Sequence, residues 1–294
     1  MAKTREIKKR IKAVANIRRI TKTMQMIATS KFARAQQASV ASKPYTETLF
    51  ELVTQLAASL GSDVSHPLLK SKGQGKELTL IITSERGLCG PYNGSVLRSA
   101  MAFLRNNPGA KNGVVEIVGK KGMGFLKYAG VQVARQHNQF GDKPTYENVR
   151  ALAEDYTQRF LAGELSAVRV ISMKYMSAGK QSPHVLQLLP FQTENAARKG
   201  ATSGGSGTVQ IYEFSPSAGE LLDTLLPAAI KALLFQAFND AVVSEHVARM
   251  VAMKSATDNA GKAGKRYTRI YNRARQAQIT TELTEIISGA AALE

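Results

Sequence analysis

Residues 219–290 predict one helix. No proline follows Pro227, and the run closes through Arg273-Ala274-Arg275-Gln276-Ala277-Gln278 to Gly289-Ala290. At about 1.5 Å of rise per residue such a helix is roughly 100 Å long, several times what a globular domain of this size wraps around. It therefore needs a partner outside its own domain.

The other end of the chain offers one. Ile7, Ile11, Val14, Ile17, Ile20, Met24 and Ile27 recur in steps of three or four among Lys, Arg, Thr, Gln and Ala. A stripe this narrow fits a coiled-coil seam better than a broad core. Pro44 is expected to bend or interrupt this first helix, and Leu49, Leu52, Val53, Leu56 and Leu60 resume it as far as Gly61. On the last helix, Leu222 to Val251 present a wide apolar face. Beyond it the apolar positions thin to Ala256, Ala260, Ala263, Ile270, Ala274, Ala277, Leu283 and Ile287, whose alanines permit close approach. The expectation is an antiparallel pair.

Between the helices the period changes. Leu78–Thr83, Val114–Val118, Val131–Val133, Val168–Met173, Val185–Leu189 and Val209–Phe214 read as strands. They alternate with helical stretches at 94–106, near Phe125 and at 146–162. This alternation predicts a compact α/β domain. Gly200 to Gly207 reads as a flexible loop. The resulting division is 1–60, 76–214 and 219–290.

The net charge of +18 is confined to two bands. Residues 1–45 hold twelve Lys and Arg against Glu6 alone, and residues 249–275 hold eight against Asp258, giving +11 and +7. The charge thus belongs to a surface of the two helices. Cys89 is the single cysteine, which fits a reducing compartment. Charged residues such as Asp63, Lys231 and Asp240 interrupt every apolar run that approaches bilayer length. The basic start has the composition of a transit peptide, but its apolar spacing continues unbroken into the following turns, which argues against removal.

Catalytic and cofactor constellations do not assemble. Gly119-Lys120-Lys121-Gly122-Met123-Gly124 follows a strand yet has neither the dinucleotide nor the P-loop spacing, and Gly261-Lys262-Ala263-Gly264-Lys265 fails the same test. His66, His137, His184 and His246 are scattered without metal-ligand spacing. Glu154 and Asp155 sit on an amphipathic helix as ordinary solvated carboxylates. The basic bands leave nucleic acid open as a ligand through phosphate contacts, although aromatic platforms are limited to Phe32, Tyr45, Tyr267 and Tyr271. They also leave open a basic sleeve facing acidic protein loops. Arg86-Gly87-Leu88-Cys89-Gly90 forms a tight turn after a strand with Arg86 at its rim.

The run Ile279-Thr280-Thr281-Glu282-Leu283-Thr284-Glu285-Ile286-Ile287-Ser288-Gly289-Ala290 resembles the C-terminal signature of the gamma subunit of rotary ATP synthases. Ala252–Ala260, Ile20–Met26 with Ser30-Lys31, and Arg86–Gly90 resemble three further blocks of that family. Glu85 stands where the family usually has Asp, and Pro91-Tyr92-Asn93 where it has Gly-Leu-Asn. Gly261 and Gly264 fall in a helix that is usually poor in glycine, and the Ser/Gly loop near Gly204 resembles an insertion.

The resemblance implies a long antiparallel coiled coil of the N- and C-terminal helices plus a central Rossmann-like α/β domain. It implies a non-catalytic rotor shaft without cofactor or metal, which turns inside a hexamer of alpha and beta subunits and rests with epsilon on the membrane c-ring. The chain would be peripheral on the cytoplasmic face of a bacterial inner membrane, with no membrane insertion and no nucleic acid. Carried over by position, Arg275, Gln276 and Thr280, with Glu282 and Glu285 beyond them, contact a beta loop. Met24 and Lys22 pass the acidic lever loops of beta, Arg86 makes a further beta contact, and the uncharged end from Ile286 turns in an apolar collar.

Overall fold

The computed structural model describes residues 2–59, 66–71, 73, 75–141, 143–192 and 218–291. The expected strand 209–214, the Ser/Gly loop and the end of the first helix at Leu60-Gly61 lie outside these residues. The elements run α1 (Ala2–Ser59), β1 (Lys76–Ile82), α2 (Tyr92–Asn106), α3 (Pro108–Lys111), β2 (Val114–Val118), α4 (Lys120–Tyr128), β3 (Arg135–His137), α5 (Tyr146–Leu161), β4 (Leu165–Ser177), β5 (Lys180–Leu189) and α6 (Ala218–Ala291). They form two compact units, one of Met1–Ser30 with Arg249–Glu294 and one of Lys31–Ala248.

The larger unit is built on a five-stranded sheet of order β3-β2-β1-β4-β5. β1 pairs in parallel with β2 (Leu78 opposite Val114) and with β4 (Leu78 opposite Val168), β3 is parallel to β2, and β5 closes the edge antiparallel to β4. Strands covered on both faces read as nearly unbroken apolar runs, as β1 does. Leu78, Leu80 and Ile82 join a cluster with Val149, Leu152 and Tyr156 of α5, Leu49, Val53 and Leu56 of α1, and Leu222, Leu226 and Ile230 of α6. On the opposite face Ile81, Ile117 and Ile171 pack with Val96, Leu97 and Ala100 of α2 and Leu126 of α4. The central domain is thus an α/β/α sandwich that also contains the inner lengths of both long helices.

One window of α6 is apolar enough to cross a membrane by composition. Its apolar content is core-forming: Leu222, Leu226, Ile230, Leu234 and Phe238 are all buried in this unit.

Of the two outcomes expected at Pro44, a bend or an interruption, the interruption does not occur: α1 runs through it. A proline inside a helix costs about 3 kcal/mol through its missing N–H and its clash with the preceding turn. Beyond it, Leu49, Val53 and Leu56 are buried, each contributing about 1.5–3 kcal/mol. Burial therefore outweighs the break.

The strand expected at Val131–Val133 is also displaced, to Arg135–His137. Gly130 (φ 73°) and the bond from Val131 N to Leu126 O close α4 first, and pairing of the returning chain begins with Ala134 N donating to Val115 O. Val131 and Val133 owe their apolar character to packing against the second cluster.

Candidate partner interface on the paired helices

In the smaller unit the least exposed positions of α6 run Met253, Thr257, Ala260, Gly264, Tyr267, Tyr271, Ala274 and Gln278, in alternating steps of four and three. On α1 the same rhythm gives Thr4, Ile7, Ile11, Val14, Arg18, Thr21, Gln25 and Ala28, of which only Arg18 is exposed. This 3.5-residue period is that of a coiled coil. Thr4 Oγ1 donates to Gln278 Oε1 at 3.3 Å, Arg10 lies beside Tyr267, and Thr257 Oγ1 meets Thr21 Oγ1 at 2.8 Å. As one number rises the other falls, so the helices are antiparallel.

The seam differs from the expected one. Ile17, Ile20 and Ile27 are 52%, 55% and 53% exposed, and Ile270, Leu283 and Ile287 are exposed on α6. A seam anchored at Ile7 and Val14 advances by sevens to Thr21 and Ala28, so the intervening isoleucines fall on its flank. Beyond Ile7, Ile11, Val14 and Met253 the seam is made of small and polar side chains, and Ile17, Ile20 and Ile27 face outward.

Small residues at the seam leave a groove of about 1090 Å³, floored by Ile11, Val14 and Ala15. Its rim carries Arg18, Arg19, Lys22, Lys262, Lys265 and Arg269, with Asp258 as the one acidic group. The two basic bands read from the sequence thus converge on one face.

The expected contact residues separate into three places. Lys22, exposed on the groove rim, and half-buried Met24 lie level with Thr257. Arg275, Gln276 and Thr280 are exposed about 30 Å along the pair, level with Thr4. There the Thr280 hydroxyl bonds back to Gln276 O at 3.0 Å, and Glu282 accepts from Gln278 Nε2 at 2.8 Å. Glu285 and every other residue of 279–291 are exposed.

Arg86 belongs to the larger unit, exposed in the loop after β1. The loop is fixed by Asn93, a residue to which sequence reading gave no role. Asn93 Oδ1 accepts from Ser84 N at 3.0 Å, and its Nδ2 donates to Ser84 Oγ at 2.7 Å and to Cys89 Sγ at 3.2 Å. Ser84 Oγ in turn bonds Arg86 O at 2.7 Å. Cys89 is buried within this network, while Leu88, at φ 63°, is turned outward.

Two expected non-sites have structural roles. Gly119 and Gly122 let α4 approach the sheet: Gly122 N donates to Thr83 Oγ1, which donates to Val118 O at 2.7 Å. Glu154 pairs with Lys231 at 2.7 Å, and Asp155 lies 3.5 Å from Arg159.

A buried ionic cluster escaped the sequence entirely, because its members come from β2, β3 and α5. Glu116 accepts from His137 Nε2 at 2.7 Å, Tyr156 OH at 2.8 Å and Arg159 at 3.2 Å. Burial pushes its carboxyl up, but these hydrogen bonds together outweigh burial and hold it below the usual range. Burial and the neighbouring carboxylate push the Tyr156 hydroxyl well above its ordinary value. Glu116, His137 and Tyr156 are buried, half-buried Arg159 closes the cluster's edge, and both carboxylate oxygens of Glu116 are hydrogen-bonded, which suits a structural role. Among the described residues no three His, Cys, Asp or Glu converge as a metal site.

A family model described as ATP synthase matches residues 3–293. The ATP synthase gamma chain of Rhodopirellula baltica is 40% identical over 296 residues, and that of Leptospira biflexa 39% over 297, each alignment covering all of both chains. Among solved structures, a chain of the Euglena gracilis mitochondrial ATP synthase (OSCP/F1/c-ring, rotational state 3) superposes with a TM-score of 0.65 at 18% identity, covering 99% of this chain and 95% of that one. A chain of the rotor of the same enzyme, in rotational state 1, gives 0.59 at 17%, covering 95% and 99%. The chain belongs to the ATP synthase gamma-chain family, a non-catalytic subunit of that complex.

Proposed function

We propose that the paired helices of the smaller unit turn inside an alternating alpha–beta hexamer, and that the α/β unit rests with an epsilon subunit on a proton-translocating c-ring. The observation that carries this reading is the 4–3 seam of the two helices with Ile17, Ile20 and Ile27 exposed on its flank. Such a pair is held together by close approach of small residues and keeps Ile17, Ile20 and Ile27 for surfaces outside the chain. In a rotor they slide past non-identical neighbours.

The basic groove rim, with Lys22 and neighbouring Met24, faces acidic beta loops at one level. Arg275, Gln276 and Thr280, with Glu282 and Glu285, meet beta at another, and Arg86 supplies a third contact. Attraction at the groove is electrostatic and orients the shaft without anchoring it. The exposed run that includes Ile286 and Ile287 supplies an apolar bearing. The complex sits on the cytoplasmic face of a bacterial inner membrane, with this chain peripheral to the bilayer.

Co-expression with the matching alpha and beta subunits tests the proposal. One copy per hexamer, with Mg-ATPase turnover stimulated by the chain and directional rotation of a bead attached to the α/β unit, is expected. Absence of association would overturn it.

A further inference from the structure

The pairing of β4 with β1 ends at Ile171, whereas its pairing with β5 continues to Ser177 opposite Lys180. The last part of this hairpin is therefore a two-stranded arm beyond the sheet. Its turn is closed by Gln181 Nε2, which donates to the carbonyls of Ser177 and Ala178 at 2.8 and 2.9 Å. An isolated two-stranded ribbon is marginal in water, so an ordered arm needs something to lie on.

The arm lies on both long helices within the larger unit. The Tyr175 ring meets Phe32 of α1 edge-on, with centroids 6.4 Å apart. The Asp240 carboxylate of α6 lies beside the Tyr175 backbone and Lys174. Asp240 Oδ1 also accepts from Ser39 of α1 at 3.2 Å and from Gln236 at 2.9 Å. Gln236 Oε1 accepts from Ser42 at 3.0 Å. One carboxylate thus bonds α1 and α6 directly beneath the arm, whose Tyr175 ring rests on α1. Buried polar groups of this kind fix register where an apolar seam tolerates sliding.

We propose that the β4–β5 arm is a strap: through Tyr175 and Asp240 it locks the axial and rotational setting of α1 against α6 and passes torque between the helix pair and the sheet. The locking half stands on these contacts alone. The torque half rests on the rotor role proposed above. A pair gripped only by its own seam would creep under load, whereas this one is held from a third element.

The test compares wild type, Tyr175→Ala with Asp240→Ala, and Asp240→Asn, which keeps the Oδ1 acceptor. In the isolated full chain, amide exchange around Ser39 and Gln236 is expected to quicken about ten-fold in the double variant and to stay unchanged in Asp240→Asn. In the complex with alpha and beta subunits, the double variant is expected to broaden the angular distribution of an attached bead during the catalytic dwell, at unchanged ATPase rate. Unchanged exchange overturns the strap. Faster exchange with an unchanged angular width overturns its torque role. A wild-type complex that does not rotate overturns the rotor reading and leaves the exchange result to judge the locking half.

Discussion

Thr21 and Thr257 meet hydroxyl to hydroxyl at 2.8 Å across the seam of α1 and α6, at positions where a coiled coil ordinarily places Ile or Leu. Each has a local alternative, since Thr257 Oγ1 also lies 2.8 Å from Met253 O and Thr21 Oγ1 3.1 Å from Arg18 O. Neither hydroxyl depends on the other. Replacing both by valine removes a polar pair without changing shape, which is commonly neutral or stabilising. Thr21→Val with Thr257→Val should stabilise the isolated subunit by about 0.5–1 kcal/mol. Urea titration checks this. A loss above about 1 kcal/mol would make the hydroxyl contact a required part of the seam.

Two glycines in helices should respond in opposite ways to alanine. A Cβ at Gly264 would sit 3.9 Å from Val14 Cγ1, an ordinary contact. Gly264→Ala should therefore recover most of the helix penalty, about 0.5–1 kcal/mol. A Cβ at Gly122 would lie 2.5 Å from Ile117 Cδ1 and 2.6 Å from Thr83 Oγ1, groups fixed in the core beneath α4. Gly122→Ala should cost about 1–3 kcal/mol through overpacking. Thermal unfolding of the two variants beside wild type decides, and equal signs would contradict the packing described.

Much of this was legible in the sequence because it depends on period. The 78–83 and 114–118 runs predicted β1 and β2 closely, and the absence of proline after Pro227 predicted α6. The seam was legible only in part. Ile17, Ile20 and Ile27 carry the strongest local apolar signal, yet the register is set by Ile7 and Val14 pairing with α6, a non-local choice that a single helix does not encode. The same limit hid the Glu116 cluster, whose four members span residues 116 to 159 and meet only once the sheet is assembled. Pro44 failed as a helix breaker because Leu49, Val53 and Leu56, buried beyond it, outweigh a local rule.

The Glu116 cluster gives the larger unit an acid-sensitive element. Its folded carboxyl value is depressed below the ordinary 4.5. The stabilisation is fully present above that unfolded value and is lost as pH falls through the lower folded one. Glu116→Gln should cost about 3 kcal/mol at neutral pH, the low end for breaking a buried ion pair, because Arg159 keeps Asp155 and Glu164 nearby. The gap between wild type and variant should narrow below pH 4.5. Asp240 has the opposite sign: burial raises its value, so the penalty on its charged form is full above that value and is relieved as pH falls through it toward the ordinary 3.8. Asp240→Asn should therefore be neutral or stabilising at neutral pH. Denaturant titrations across pH, with both variants, separate the two contributions.

The proposed beta contacts predict a separation of function from stability. Arg275 and Gln276 are exposed and lie where α6 leaves the last cross-seam bond, Thr4 to Gln278. Substitutions at exposed helix positions change stability by within about 0.5 kcal/mol. Arg275→Ala with Gln276→Ala should therefore leave the unfolding of the isolated subunit nearly unchanged while lowering ATP-driven rotation, or assembly with alpha and beta, several-fold. Parallel losses in both assays would assign these residues to folding. Met24→Lys probes the other level of the shaft. Met24 is half-buried beside a groove whose rim already carries Arg18, Arg19 and Lys22, so a further cation is repelled by these side chains and tightens the grip on an acidic loop that must slide past. Coupling should fall, read as fewer protons pumped per ATP hydrolysed by reconstituted complex. An unchanged ratio would remove Met24 from the lever-loop contact and leave it as a half-buried residue beside the seam.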